Sequence, residues 1–439
     1  MSLRRLLVIS PHFPPDSSAG THRVRLLAPH LRAHGWEAVV LTASESAYEG
    51  RLDPDLASLV PASLRVVRCG AMPPRVSRAA GFGDLGLRVL PGLALTAHRL
   101  LASEPYDGVF ITIYPTYPAL LGPLLKRRFG VPFILDYQDP WVGAWGRDVA
   151  GGINGSVDLK SRATRALAGA IEPRVLRSAD GVTAVSARTY EDAIARTGAH
   201  PRAVAEIPIG WDAGDAEALA RRPPRAPVVP TDAYVNLCYV GTILPLGIGA
   251  LRALLQAVRQ LVDREPEIGR RLRLHFFGTS NQTAGGPERV MPHARDLGVA
   301  DRVREQPARL DYLDALDVLR QASGLLLLGS SEPHYTPSKA FPALLASRPM
   351  LAVYHAASSI VPIFTAAAPP PAGCLVAFSD DRPVEGMVDD IARALTAVAR
   401  AADGPVRVDL KALEPWSAPV LAGRLAEVCN AVSGGRAHG

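Results

Sequence analysis

Short apolar runs punctuate this chain, and between them apolar residues return every three or four positions. The runs fall at 6–10, 38–42, 64–69, 108–113, 133–137, 181–185 and 204–209, and again at 235–240, 271–277, 303–306, 324–328, 350–354 and 374–378. Continuous runs of this length predict parallel strands covered on both faces, and the stretches of helical period predict the helices that cover them. A strand-then-helix rhythm repeated this often predicts an α/β protein built on doubly wound sheets.

The rhythm stops near 210 and restarts at 235. Between them, Arg221, Arg222, Pro223, Pro224, Arg225, Pro227 and Pro230 give the composition of a connector. Two doubly wound domains are expected, 1–210 and 233–412, joined by a linker at 211–232 and followed by an amphipathic helix within 413–439. Such folds bind ligands outside the carboxyl ends of their strands. Chemistry is therefore expected on the loops that follow strands, facing a cleft between the domains.

Composition narrows the classes. The chain has 439 residues, of which 48% are hydrophobic, and its 48 basic and 42 acidic side chains leave a formal charge of +6. A disordered or collagen-like chain is excluded, since Gly and Pro are scattered among apolar runs. The small charge excess, with no dense basic run and no interleaved aromatics, argues against nucleic acid. Cys69, Cys238, Cys374 and Cys429 lie far apart, which suggests neither a zinc site nor a disulfide framework and fits a reducing, cytoplasmic setting. The opening apolar run ends at Ser10 and Pro11, too soon for a secretory leader. The segment 81–101 is broken by Arg88, Pro91 and His98; it reads as a core helix, with peripheral membrane contact as the alternative.

The loops after the strands carry the candidate residues. After the first run, Ser17, Ser18, Ala19 and Gly20 would let a backbone approach a ligand closely, and the following helix offers free N–H groups to a phosphate. A capped turn is the plainer alternative. His12 and His22 flank this loop. Tyr114 follows the fourth run, and Asp136, Gln138, Asp139 and Trp141 close the fifth. Asp139 is the candidate partner of a sugar hydroxyl or a developing positive charge, and Asp136 reads as structural. In the second half, Gly241 with Thr242 and Gly278 with Thr279 each place a glycine and a small hydroxyl residue at a strand end. The most informative loop runs through His334, Tyr335, Thr336, Pro337, Ser338 and Lys339. Lysine occurs only at 126, 160, 339 and 411. A lysine at a helix start opposes the dipole unless an anion sits there, so Lys339 predicts a bound phosphate.

Taken in order, these segments resemble glycosyltransferases of the GT-B fold, in particular the large retaining group called family 4. The resemblance spans nearly the whole chain. It rests on Phe13, Pro14, Pro15, Ser18, Ala19, Gly20, Arg23, Gly35 and Trp36 at the start. It continues with Asp136, Asp139 and Trp141, which match a D-x-x-D-x-W segment of one bacterial subgroup, and with 183–186, 207–212 and 239–242. Pro337, Ser338 and Lys339 follow, and Trp416 onward is similar to the family's last helix, which crosses back onto the N-terminal domain. The resemblance implies two Rossmann-like domains, the N-terminal one holding an acceptor and the C-terminal one a nucleotide-diphosphate sugar, with a UDP-sugar foremost. It implies metal-independent hexosyl or other glycosyl transfer with retention, no cofactor, and an acceptor that is a small molecule or a lipid-linked glycan. Ser18, Ala19, Gly20, Arg23, Gly241, Thr242, Ser338 and Lys339 would then hold the diphosphate, Gly278 and Thr279 the nucleotide, and Tyr114, Tyr335, Thr336 and Pro337 further parts of the substrate. His12, Asp139 and His334 would face the sugar or acceptor. This chain departs from the family where many members carry an Arg and a Lys after the first strand of the second domain; Thr242 and Leu246 stand there. His334 and Pro342 stand where members commonly carry two glutamates, and Lys339 would then take over phosphate charge. An inactive relative that binds a ligand or a partner enzyme is the alternative function, and a sugar-nucleotide epimerase follows behind it.

Overall fold

The computed structural model describes residues 3–79, 83–142, 159–223, 225–280, 285–331, 338–402 and 406–434, with only the backbone of 159–164. They fall into two units, Met1–Ile209 with Ala418–Gly439, and Gly210–Ser417. The first holds a parallel sheet of β1 (Arg4–Ile9), β2 (Trp36–Ala43), β3 (Arg65–Cys69), β4 (Gly108–Thr112), β5 (Phe133–Tyr137), β6 (Gly181–Ala184) and β7 (Ala203–Glu206), in the order β3-β2-β1-β4-β5-β6-β7. The second holds β8 (Val235–Val240), β9 (Leu272–Phe277), β10 (Val303–Gln306), β11 (Gly324–Leu328), β12 (Met350–His355) and β13 (Gly373–Phe378), in the order β10-β9-β8-β11-β12-β13. Chain order reverses beside β1 in one sheet and beside β8 in the other. The switch points lie between β1 and β4 and between β8 and β11, the positions where open α/β sheets bind their ligands.

The strands form because both faces of each central strand are covered. Every residue of β4 and β11 is buried. Side chains alternate along β1, so Leu7 and Ile9 join one core with the helix Leu85–Ser103, while Leu6 and Val8 join another with Trp36 and the helix Ala418–Ser433. In the second unit Leu237 and Tyr239 face the helices Ile248–Arg264 and Val388–Ala401, and Cys238 faces Ala340–Leu345 and Ile360–Ala367.

The C-terminal helix belongs to the first unit although the chain reaches it from the second. Leu421, Leu425, Val428, Cys429 and Val432 fill the core beneath Trp36, and the Trp36 indole donates to Asn430 Oδ1 at 3.1 Å. The helix begins at Ala418, after Pro415 keeps Leu410–Trp416 in a tighter 3₁₀ segment of the second unit.

The stretch 211–232 is not a bare linker. It carries the helix Ala213–Arg221, capped by Asp212, which accepts from the Gly214 N–H at 2.7 Å. Val229 is buried, and Gln321 Oε1 accepts from the Val228 and Val229 N–H groups. Prolines that resemble connector composition here end a helix and lead the chain along the unit. Likewise the helical pattern of 24–34 is broken: Thr21–Leu27 is α-helical, and Ala28–His34 tightens to 3₁₀ at Pro29, which lacks an N–H.

The segment 85–101 is a core helix. Asp84 caps it through the Leu87 N–H at 3.1 Å, and Val89, Leu93 and Ala97 are fully buried. Arg88, also buried, donates to Glu49 at 2.7 Å and to the Ala47 and Met72 carbonyls at 3.0 Å. Among the described residues no helix is long and apolar enough to cross a membrane, and the four cysteines are unpaired.

Candidate functional site

The second unit's switch point is built by three chain segments. β8 ends at Gly241, whose φ of 139° suits only glycine; its N–H donates to the Phe277 carbonyl at 2.9 Å. β9 ends at Gly278, with φ of 69° and its N–H on the Gln306 carbonyl at 2.8 Å. The Ile243 N–H donates to the Thr279 carbonyl at 3.0 Å and ties the two loops together. After β11 the chain returns at Ser338, which is exposed, and Lys339, half-buried at the start of the helix Ala340–Leu345.

Lys339 lies across the Gly241 turn. A Cβ at Gly241 would stand 3.2 Å from Lys339 Cδ and 3.5 Å from Nζ, so the glycine also makes room for the lysine. Nζ donates to the Tyr239 hydroxyl and sits 4.3 Å from the centre of the Tyr239 ring. The Tyr239 hydroxyl in turn donates to the Thr242 carbonyl at 3.0 Å. Among the described residues no carboxylate pairs with Lys339, and burial lowers its pKa to about 7. An amine in this position gains from any anion that reaches it.

Two expectations need correction here and in the first unit's helix. Thr279 is fully buried, and its hydroxyl donates to Glu305, which also accepts from the N–H groups of Arg289, Val290 and Met291 at 2.8 to 3.0 Å. Its side chain therefore anchors the start of the helix Met291–Asp296 and is not open to a nucleotide. Arg23 is equally inaccessible: it is buried and donates to Asp136, at 2.9 Å from Nε, and to the Ile207 carbonyl. Thr183 completes the Asp136 carboxylate at 2.6 Å. Arg23 thus closes a buried ion pair between the first helix and β5 and does not serve a diphosphate.

In the first unit the loop after β1 folds on itself. His12 Nδ1 lies 2.6 Å from Asp16 Oδ2, and the same oxygen accepts from the hydroxyls of Ser18 and of Thr21, the latter at 3.0 Å. Burial works to raise the Asp16 pKa, but the hydrogen bonds from His12 and from the two hydroxyls carry it below the ordinary carboxylate value. A histidine that donates from Nδ1 presents Nε2 as an acceptor, which suits a substrate hydroxyl. The ring is flanked by Tyr48 and Tyr114, with centroids at 6.3 and 5.5 Å. A side chain at Gly20 would collide with the Tyr114 ring, so glycine is needed for this packing, while Ala19 remains exposed.

Asp139 is exposed just beyond β5, next to the buried Gln138, whose Nε2 has no hydrogen-bond partner among the described residues. His334, Tyr335, Thr336 and Pro337 lie outside the described residues. The structure thus gathers His12, Ser18 and Tyr114 in one place and Gly241, Thr242 and Lys339 in another, with Gly278 beside the latter. Asp16, Tyr239 and Gln138 were not anticipated as site residues. An acid four positions after His12 across a double-proline turn was the available signal for Asp16; for Tyr239 there was none, since it sits inside a strand pattern. Among the described residues no group of three His, Cys, Asp or Glu side chains could hold a metal ion.

Residues 19–210 match the family model for the glycosyl transferase 4-like domain. The chain is 27% identical over 331 residues to a D-inositol 3-phosphate glycosyltransferase of Thermomonospora curvata, covering 70% of each chain. It is 28% identical over 214 residues to D-inositol 3-phosphate glycosyltransferase 1 of Catenulispora acidiphila, a match spanning about half of each, 48%. Among solved structures it resembles a UDP-forming α,α-trehalose-phosphate synthase of Burkholderia vietnamiensis, with a TM-score of 0.59, 14% identity, and 98% of each chain covered. The chain has the GT-B fold, and the matches support a family 4-like glycosyltransferase.

Proposed function

Taking a family 4-like chain of the GT-B fold as the premise, we propose that this protein transfers a hexosyl group from a nucleotide-diphosphate sugar, a UDP-sugar foremost, to an acceptor hydroxyl, with retention and without a metal. The observation that carries the reading is the Lys339 amine, lying over the Gly241 turn at a switch point with no carboxylate beside it among the described residues. A UDP-forming enzyme of the same fold and relatives named as glycosyltransferases support the donor class.

In this reading Gly241, Thr242, Ser338 and Lys339 hold the diphosphate and Gly278 lies by the nucleotide. As the bond from the anomeric carbon to the phosphate oxygen breaks, charge grows on the leaving diphosphate, and Lys339 stabilises it. The acceptor oxygen bonds to the anomeric carbon on the same face, and its proton passes to the departing phosphate oxygen. His12 Nε2 orients a hydroxyl of the sugar or acceptor; Asp139 and His334 serve the same region. The acceptor is a small molecule or a lipid-linked glycan.

Incubation with a panel of nucleotide sugars and sugar or polyol acceptors, read by release of nucleoside diphosphate, tests the proposal. Release that depends on an acceptor is the expected result. Binding of a nucleotide sugar without turnover across the panel would favour an inactive relative, and an isomerised sugar nucleotide would favour an epimerase.

A further inference from the structure

Among the described residues, the chain around Lys339 brings it no acid. The segment 235–247, through β8 and the turn beyond it, contains no charged residue, and neither does the helix Ala340–Leu345. On the neighbouring β9, His275 is bound to Asn236 Oδ1 at 2.7 Å and Arg273 lies over the Tyr234 ring. Among the described residues the Tyr239 phenol is therefore the titratable group that Lys339 meets. Tyr239 is buried, its ring packs against Phe276 at 5.7 Å, and its hydroxyl proton is committed to the Thr242 carbonyl. A phenol that donates in one direction can only accept from the amine in the other.

We propose that Tyr239 is the positioning residue for the donor's diphosphate: its ring and hydroxyl hold the Lys339 amine at the Gly241 turn, and the incoming anion supplies the missing counter-charge, so that binding takes up a proton at Nζ. This rests on the donor reading above. The lowered pKa of about 7 agrees with it, because an amine poised there is largely neutral at about pH 8 and becomes charged when an anion raises its pKa.

The test is calorimetry of the full chain with UDP at about pH 8 in two buffers of different ionisation enthalpy, which counts protons exchanged on binding. Wild type is expected to take up close to one proton. Tyr239→Phe keeps the ring and removes the acceptor oxygen; it is expected to bind UDP about tenfold more weakly, with a smaller proton count and an unchanged melting temperature to within a few degrees. With donor sugar, its KM rises and its kcat falls, because Lys339 serves both the bound and the leaving diphosphate, while the melting temperature holds, a combination that a general loss of structure would not give. UDP binding by wild type with no net proton uptake overturns the proposal, and so does a Tyr239→Phe protein that keeps both the wild-type affinity and the wild-type proton count. Absence of any UDP binding to wild type overturns the donor reading itself, and this inference with it. The wild-type proton count stands as a test even if the variant does not fold.

Discussion

In the first unit the loop after β1 brings a carboxylate, an imidazole and two hydroxyls into mutual contact, whereas in the second the loop after β8 brings an amine against an aromatic ring and, among the described residues, no acid. Both loops sit at switch points and both follow buried strands, so the scaffold is the same and the electrostatics differ. Asp16 is satisfied by its own neighbours, and its work is to fix the tautomer and direction of His12. Lys339 meets the Tyr239 hydroxyl and ring but, among the described residues, no carboxylate, so its charge lacks a counter-ion there.

The largest way to break this contrast is to remove the element on which only the first unit depends. Deleting 418–439 takes away Leu421, Leu425, Val428 and Val432 from its core. At about 1.5–3 kcal/mol for each buried aliphatic side chain, the loss is on the order of a whole domain's net stability. Proteolysis followed by mass spectrometry should show cuts throughout the first unit.

Next in size is the acid response of the second unit. Burial holds His275 down to about 4, beneath the ordinary histidine value of 6.5. The unfolded chain binds that proton more readily, so the stabilisation is complete above about pH 6.5 and is lost as pH falls toward about 4, by roughly 3 kcal/mol. Urea titrations of the wild type between these limits should show it, and His275→Gln should flatten the slope. Asp16 behaves with the same sign at lower pH: its contribution is present above the ordinary carboxylate pKa and is lost as pH falls through its depressed folded value. Asp16→Asn should remove that acid limb and lower turnover about tenfold by freeing the His12 ring.

Gly241→Ala sharpens the contrast from the other side. An alanine would have to adopt a φ of 139° and meet Lys339 Cδ at 3.2 Å. A cost of about 1–3 kcal/mol is expected, read as weaker donor binding together with a lowered melting temperature.

Much of the frame was legible because parallel strands covered on both faces leave continuous apolar runs, such as Leu325–Leu328 in β11, and because function in such sheets gathers at strand ends. Lys339 stands out in the sequence because lysine is rare in this chain and opposes a helix start, whereas its partner Tyr239 does not, being hidden in a strand pattern. The misreadings share one cause, which is that the deciding partner lies far along the chain. Arg23 looks like a phosphate ligand until Asp136 is seen beside it, and Thr279 looks open to a nucleotide until Glu305 is. The prolines at 223–230 mimic a connector because composition does not reveal that Gln321 receives the adjoining N–H groups.

The central claim is that the Lys339 amine receives a diphosphate at the Gly241 turn, and a crystal structure with UDP bound addresses it most directly. A phosphate oxygen is expected about 2.7–3.1 Å from Lys339 Nζ, with the Gly241 backbone against the same group. A diphosphate seated elsewhere, with Nζ still on the Tyr239 hydroxyl, would contradict it.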